Sequence, residues 1–187
     1  MRRASEQIGA EENRGTASDF TDAADRTPTA LLNRLLDRLR TSGIQPGELD
    51  VLRRALLAAE PGEAIAAILA FLATGQDART GEAFTVGAGG ELRGAPTLRV
   101  MLLDLLGRIC RGTHSREGEE ICRSLLTRKT SADEWAIALR NIAWSAPGDR
   151  SFLAGKMQEM LAYQPWRQQP SAGFLDAFDV IVFTRDA

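Results

Sequence analysis

Histidine, tyrosine and cysteine are scarce in this chain: one His, one Tyr and two Cys among 187 residues, with aromatic side chains at 6%. Each scarcity closes a class of chemistry. His114 has no second histidine, cysteine or acid at ligand spacing, so it is a poor metal ligand and a poor general base. Its setting, "RGTHSREG", reads as a surface turn. Cys110 falls near the end of one expected helix and Cys122 inside the next. Across such a hairpin they are offset by about four residues at ~1.5 Å each, too far for a relaxed disulfide. Two reduced, buried thiols are expected, and with them a cytoplasmic chain. A catalytic cysteine needs a lowered pKa, and the pattern supplies no dedicated basic partner.

An excess of positive charge is missing too. Net charge is −2 and the pI is near 5.6, so no global basic field draws in nucleic acid, and none is expected as a partner. Arg34, Arg38, Arg40, Arg53 and Arg54 gather in the first two helices, but acids are interspersed among them. No apolar run approaches the ~18 residues of a membrane span. Met1-Arg2-Arg3 is not followed by an apolar stretch, so no secretory signal and no membrane partner are expected.

What the chain has in quantity is alanine, leucine and arginine, all good helix formers, within a hydrophobic content of 44%. Residues 1–27 are the exception. Ile8 and Phe20 are their only sizeable apolar groups, too few to offset ordering entropy, so this segment is expected to be disordered. Residues 28–187 form the expected helical domain. Leu31, Leu32, Leu35, Leu36 and Leu39 share one helix face, and Gly43 is a stop signal. Pro46-Gly47-Glu48, Pro61-Gly62-Glu63 and Pro147-Gly148-Asp149 repeat one device: proline in a first turn and an acid at the positive end of the helix. "AIAAILAFLA" is apolar nearly all round and predicts a helix covered on several sides. In the helix from Leu98 to Cys110 the polar Asp104, Arg108 and Arg111 share a narrow strip with Gly107. Ser131 and Glu134 make a capping box before "WAIALRNIAW". That helix carries Trp135, Leu139, Ile142 and Ala143 on one side, with Ile137 and Trp144 nearly opposite, so it needs neighbours on two sides. "YQPWRQQP" reads as a loop. Beyond it Phe174, Leu175, Phe178, Ile181 and Val182 keep helical register, although "DVIVF" also suits a strand.

Glycine clusters in "FTVGAGGELRGAP", residues 84–96. A dinucleotide fingerprint needs a third glycine where Leu92 stands, and a Walker loop needs Gly-Lys-Ser/Thr where Gly94-Ala95-Pro96 stands. The segment instead predicts a small inserted β-hairpin near residues 83–93. Its arms are Ala83–Val86 and Glu91–Arg93, and Gly87 to Gly90 supply the positive φ angles of the turn. A connection running from Gln76 to Pro96 is long for two helices, and structured insertions of this kind carry recognition.

Short helices in tight pairs, apolar on two faces, resemble HEAT- and armadillo-type α-solenoids. The residues carrying the resemblance are the Pro-Gly-Glu entries at 46–48 and 61–63, the blocks "AIAAILAFL" and "LRVMLLDLLGRI", and the helix from Trp135 to Trp144. It covers residues 29–184; no copies align at the family's repeat, and the hairpin departs from plain helix pairs. The fold class is all-α: layered antiparallel helical hairpins, as a HEAT-like solenoid or an irregular bundle. The resemblance implies a protein-binding scaffold and no catalytic residue.

Four candidate interaction residues stand out. Arg99 falls in an apolar helix sector, where it snorkels past the helix end or pairs with an acid such as Glu91. Trp166, between two prolines, is a lid over the last helix or an exposed anchor. Phe84 and Arg93 sit on the hairpin. Asp176 and Asp179, three apart, read as a solvated helix face rather than an acid–base pair. No nucleophile–base pair, metal cluster or phosphate loop emerges, so no catalytic residue and no cofactor is expected. The expected function is a non-enzymatic protein-interaction scaffold. The alternative is an enzyme or small-ligand binder with a polar site between helices, using Arg99 and distant acids. The apolar C-terminal segment "FLDAFDVIVFTRDA" is expected to meet another domain or subunit, since solenoid ends need polar caps.

Overall fold

The computed structural model describes residues 27–41, 43 and 47–177, apart from the side chains of Leu39 and Asp176. Among these residues are nine helices and two short strands. In chain order they are α1 (Pro28–Thr41), α2 (Glu48–Ala58), α3 (Pro61–Ala73), β1 (Thr85–Val86), β2 (Leu92–Gly94), α4 (Leu98–Thr113), α5 (Glu117–Leu125), α6 (Ala132–Ser145), α7 (Arg150–Ala162), α8 (Gln164–Gln168) and α9 (Ala172–Asp176). The mostly helical class and the small antiparallel sheet are as expected. The N-terminal segment through Arg26, with Ile8 and Phe20, lies outside the described residues. So do Pro46 and Phe178, Asp179, Ile181 and Val182 of the C-terminal segment.

The Pro-Gly-acid tripeptide does not act as one device. In α3, Pro61 occupies the first turn as expected, and the Glu60 carboxylate caps the helix by accepting from the Glu63 N–H at 3.0 Å. In α2 the helix begins at Glu48, after Gly47 at φ 87°. Before α7 the tripeptide forms a turn instead: the Asp149 N–H donates to Ala146 O at 3.0 Å, and Asp149 itself is the N-cap. What differs is the preceding residue. Glu60 can cap a helix that starts at Pro61, whereas the alanine before Pro147 has no side-chain acceptor.

The "YQPWRQQP" segment is a helix, not a loop. Pro165 falls in the first turn of α8, where its missing N–H costs nothing. Helix α3 is also not covered all round. Ala64, Ile65, Ala67, Ile68, Phe71 and Leu72 are buried, while Ala66, Ala70 and Ala73 face outward. Exposing alanine forfeits little, so a helix with no polar face can still be an outer one.

Helices α4 and α6 form the centre. Helix α6 packs against α4, α5, α7 and α9, α3 bridges α1 to α4, and α2 touches both α3 and α4. The first expected stripe of α6, Trp135, Leu139, Ile142 and Ala143, is buried; of the second, Ile137 is buried and Trp144 half-buried. The polar strip of α4 faces inward at Asp104 and Gly107, while Arg108 is half-buried and Arg111 is exposed. Asp104 is only 2% exposed, and Gly107 lies where a Cβ would overlap the Asn141 amide of α6. The small residue lets the two backbones approach, and the strip supplies the polar contacts of that crossing.

Candidate functional site

Residues 76–97 leave the helical body as an arm and return to it. The Thr80 N–H donates to Pro96 O at 3.1 Å and the Leu98 N–H to Ala78 O at 2.9 Å, closing its base with an Arg79–Thr97 bridge. Above the base, Thr85 pairs with Gly94 and Val86 with Leu92. Two residues of β1 thus span three of β2, so Arg93 is the extra residue of a β-bulge and projects outward, exposed. Strand β1 is shorter than the expected first arm, and β2 is shifted by one residue from the second. Of the turn glycines only Gly90 has positive φ, at 82°. The tip closes with the Gly87 N–H donating to Glu91 O at 2.7 Å, so one left-handed residue suffices.

The glycine-rich tip does cradle an anion, its own. The Glu91 carboxylate folds back over Gly87 and Gly89, where any Cβ would collide with it. The backbone N–H of Glu91 itself holds this carboxyl below the usual range against the opposing effect of desolvation, helped by the Gly89 N–H and the charges of Arg108 and Arg93.

Buried charge fastens the arm to the helices. Asp104 Oδ1 accepts from the Leu92 N–H at 2.9 Å and pairs with Arg140 Nη1 at 2.9 Å. The same Arg140 Nη1 donates to Gly90 O at 2.6 Å, and Arg140 Nη2 donates to Asn141 Oδ1 at 3.0 Å. Asn141 Nδ2 then donates to Leu103 O at 2.8 Å. At the base, Glu82 pairs with Arg53 of α2 and accepts from the Ala95 N–H at 3.0 Å. Asp77 accepts from the Arg99 N–H at 3.0 Å. Phe84 is half-buried against Gly173 of α9, whose N–H donates to Asp133 at 2.9 Å.

Arg99 neither snorkels nor meets Glu91. It is 9% exposed and forms a two-pronged pair with Glu134 of α6, Nε to Oε1 at 2.9 Å and Nη2 to Oε2 at 3.2 Å. Its Nη1 donates to Leu72 O at 2.9 Å, so all three nitrogens are engaged. This diverts the capping box: Ser131 Oγ still accepts from the Glu134 N–H at 3.2 Å, but the Glu134 carboxylate serves Arg99. Trp166 is a lid, though over α6 rather than the last helix. Its ring meets Trp135 edge-on at 5.4 Å and Tyr163 at 4.9 Å. His114 is the exposed left-handed cap of α4, φ 55°, as its turn setting predicts. Asp179 and the side chain of Asp176 lie outside the described residues.

Both cysteines are free and buried, Cys110 near the end of α4 and Cys122 within α5, as expected. Burial raises the Cys110 thiol above its ordinary value. Burial pushes Cys122 up to about 12, only partly offset by the Asn141 amide. A raised thiol pKa is the opposite of nucleophile activation. The cleft between α4, α5 and α6 beside them holds about 10 Å³, the room of one water. An open hollow of about 420 Å³ is lined by Ala162, Gln164, Arg167 and Gln168, with one ionisable group among them. Charged groups between helices therefore converge on one another. Among the described residues no cluster of three or more His, Cys, Asp or Glu side chains could hold a metal. Nor is any helix among them long and apolar enough to cross a membrane.

Sequence reasoning missed Asp104, Arg140 and Asn141 as the arm's anchors. The signal was present: polar residues inside otherwise apolar helices, at positions that face each other. No protein-family model matches the chain, and neither curated proteins nor solved structures provide a match.

Proposed function

We propose that the chain is a non-enzymatic protein-interaction module that presents the outer face of the arm to a protein partner. One observation carries this reading. The arm is fixed to α2, α4 and α6 by largely buried polar contacts, while Thr85, Val86 and Arg93 face solvent. A loop held rigid from below and bare above has its ordering entropy paid in advance of binding. The layout behind it reads as an irregular bundle rather than a HEAT-like solenoid. Helix α6 touches four other helices, and α3 reaches past α4 to α5, whereas solenoid units meet only their neighbours.

The test is affinity capture from the native cell, with mass spectrometry, using the full chain and a Val86→Asp variant. Val86 is 37% exposed, so the variant should fold with unchanged Tm. The expected result is a reproducible protein partner that the variant loses at least tenfold. Equal recovery by the variant, or a tightly held metabolite in place of a protein, overturns the reading.

A further inference from the structure

The arm tip, the end of α4 and Trp144 of α6 make one continuous face. Gly90 lies against the indole, where a Cβ would stand 3.4 Å from Trp144 Cζ2. Two guanidiniums stack on that ring, Arg140 at 4.3 Å and Arg111 at 4.8 Å from its centroid. Arg108, one turn before Arg111, lies 3.8 Å from Asp104. Arg108 and Arg93 both act on the Glu91 carboxylate. Asp104 is already matched by the buried Arg140 at 2.9 Å. Glu119 lines the cleft beside Arg111 and Trp144 but is already paired with Arg116 and Arg123, so Arg93, Arg108 and Arg111, with Glu91 as the nearby acid on the arm, leave a local positive face on a chain of net charge −2. Among the described residues neither Arg93 nor Arg111 has an ion-pair partner within 4.0 Å.

We propose that this face docks an extended acidic segment of a protein partner, with Arg93, Arg108 and Arg111 receiving its carboxylates beside Trp144. The inference rests on the interaction reading of the arm and names the chemistry of what binds there. The cation–π contact with the indole holds the Arg111 guanidinium on the face, and a guanidinium can pair with a carboxylate through two prongs. The bulge aims Arg93 outward from the same tip. Glu91 shows the chemistry already at work: its carboxylate lies over Gly87 with Arg93 Nε close by, and the charges of Arg108 and Arg93 favour its ionised form. A bound acidic side chain continues that arrangement. The face is too small for nucleic acid, which needs a basic track along several phosphates, and the chain's overall charge opposes one.

Selection of a displayed random-peptide library on the full immobilised chain tests this. The strongest enriched peptide is then synthesised with a fluorophore and titrated in solution. The expected peptide is rich in Asp and Glu, and its binding weakens as salt rises. Arg93→Glu and Arg111→Glu should each cut affinity about tenfold, and Arg150→Glu, exposed elsewhere, should not. Glu91→Gln should tighten binding by removing the competing carboxylate. Unchanged Tm in each variant separates lost binding from lost fold, and Arg111→Gln serves if the reversal unfolds the chain. Neutral or basic enriched peptides, no enrichment, or indifference to both reversals overturns the acidic-segment proposal. So does tighter binding of a labelled single-stranded RNA that the same reversals abolish. Loss of a captured partner on Val86→Asp, with indifference to the arginine reversals, leaves the interaction reading standing without it.

Discussion

At the scale of single residues, the most exacting position is Gly107. Its hydrogen faces the Asn141 amide, and a methyl group there would overlap it. Gly107→Ala would ordinarily favour a helix, yet here overpacking should destabilise by about 1–3 kcal/mol. Urea unfolding of Gly107→Ala, Asn141→Ala and the double variant checks this. The double should be far less unstable than the sum, because the second change removes the group the first collides with. Arg99 and Glu134 follow a different logic. Both are buried, so Glu134→Ala leaves a buried cation unmatched and should cost about 3–5 kcal/mol. Replacing both, as Arg99→Met with Glu134→Leu, should recover most of that loss. Cys122 makes a pH prediction. Its folded value of about 12 lies above the ordinary 9.0, so folding favours the protonated thiol. Stability is full below pH 9 and falls from about pH 9 towards 12, as unfolded chains ionise and folded ones do not, at up to ~1.4 kcal/mol per pH unit. Cys122→Ala should flatten that part of the urea-midpoint profile.

At the scale of elements, the arm is the part whose presence could be read and whose attachment could not. The glycines, the prolines and the length of the connection announce a hairpin between α3 and α4. They say nothing of what holds it, because Asp104 lies 12 residues from Leu92 and Arg140 50 residues from Gly90, and with Asn141 they meet only after α4 and α6 cross. The same limit explains Arg99. Its apolar sector was evident, but its partner Glu134 also completed a local capping pattern, and the local reading concealed the distant one. Helix periodicity was legible where one stripe dominates, as on α1, and where two stand apart, as on α6. The proposed contact residues were less so: Arg93 stood out only by its place on the hairpin, and Val86 carries no periodic signal. The anchoring contacts give the element its own prediction. Asp104→Ala removes the acceptor for the Leu92 N–H and the partner of Arg140, both of which hold the tip. Hydrogen exchange at Leu92 should accelerate at least tenfold in that variant while amides of α6 slow or hold relative to it. Equal acceleration throughout would mean that Asp104 supports the whole core rather than the arm.

At the scale of the molecule, the polar contacts divide the chain unevenly. Arg99 ties α3, α4 and α6 together through Leu72 O and Glu134, and its backbone N–H ties in the arm at Asp77. Asp133 holds Ser171 and Gly173 of α9, at 2.5 and 2.9 Å, and Arg123 of α5 pairs with Asp149 at the start of α7. Helix α1 is joined to this centre differently, and α2 reaches it by a largely buried charge through Arg53, which pairs with Glu82 at the base of the arm. Their buried side chains are leucines, Leu32, Leu35 and Leu36 on one and Leu49, Leu52 and Leu56 on the other. Their shared ion pair, Arg38 with Glu48, lies at the surface, where such pairs contribute little. Apolar contact alone tolerates sliding and partial opening, whereas a buried charge pair penalises any opening that separates its members. Native-state hydrogen exchange should therefore find two levels. Amides of α4, α6 and the Leu92 anchor should exchange only through global unfolding, and those of α1 through a smaller opening that depends weakly on denaturant. Glu134→Ala should lower the upper level towards the lower one, because it removes the contact that binds three central elements. Protection in α1 equal to that in α6, falling in step with it in the variant, would show instead that the leucine contacts make the whole chain one cooperative unit.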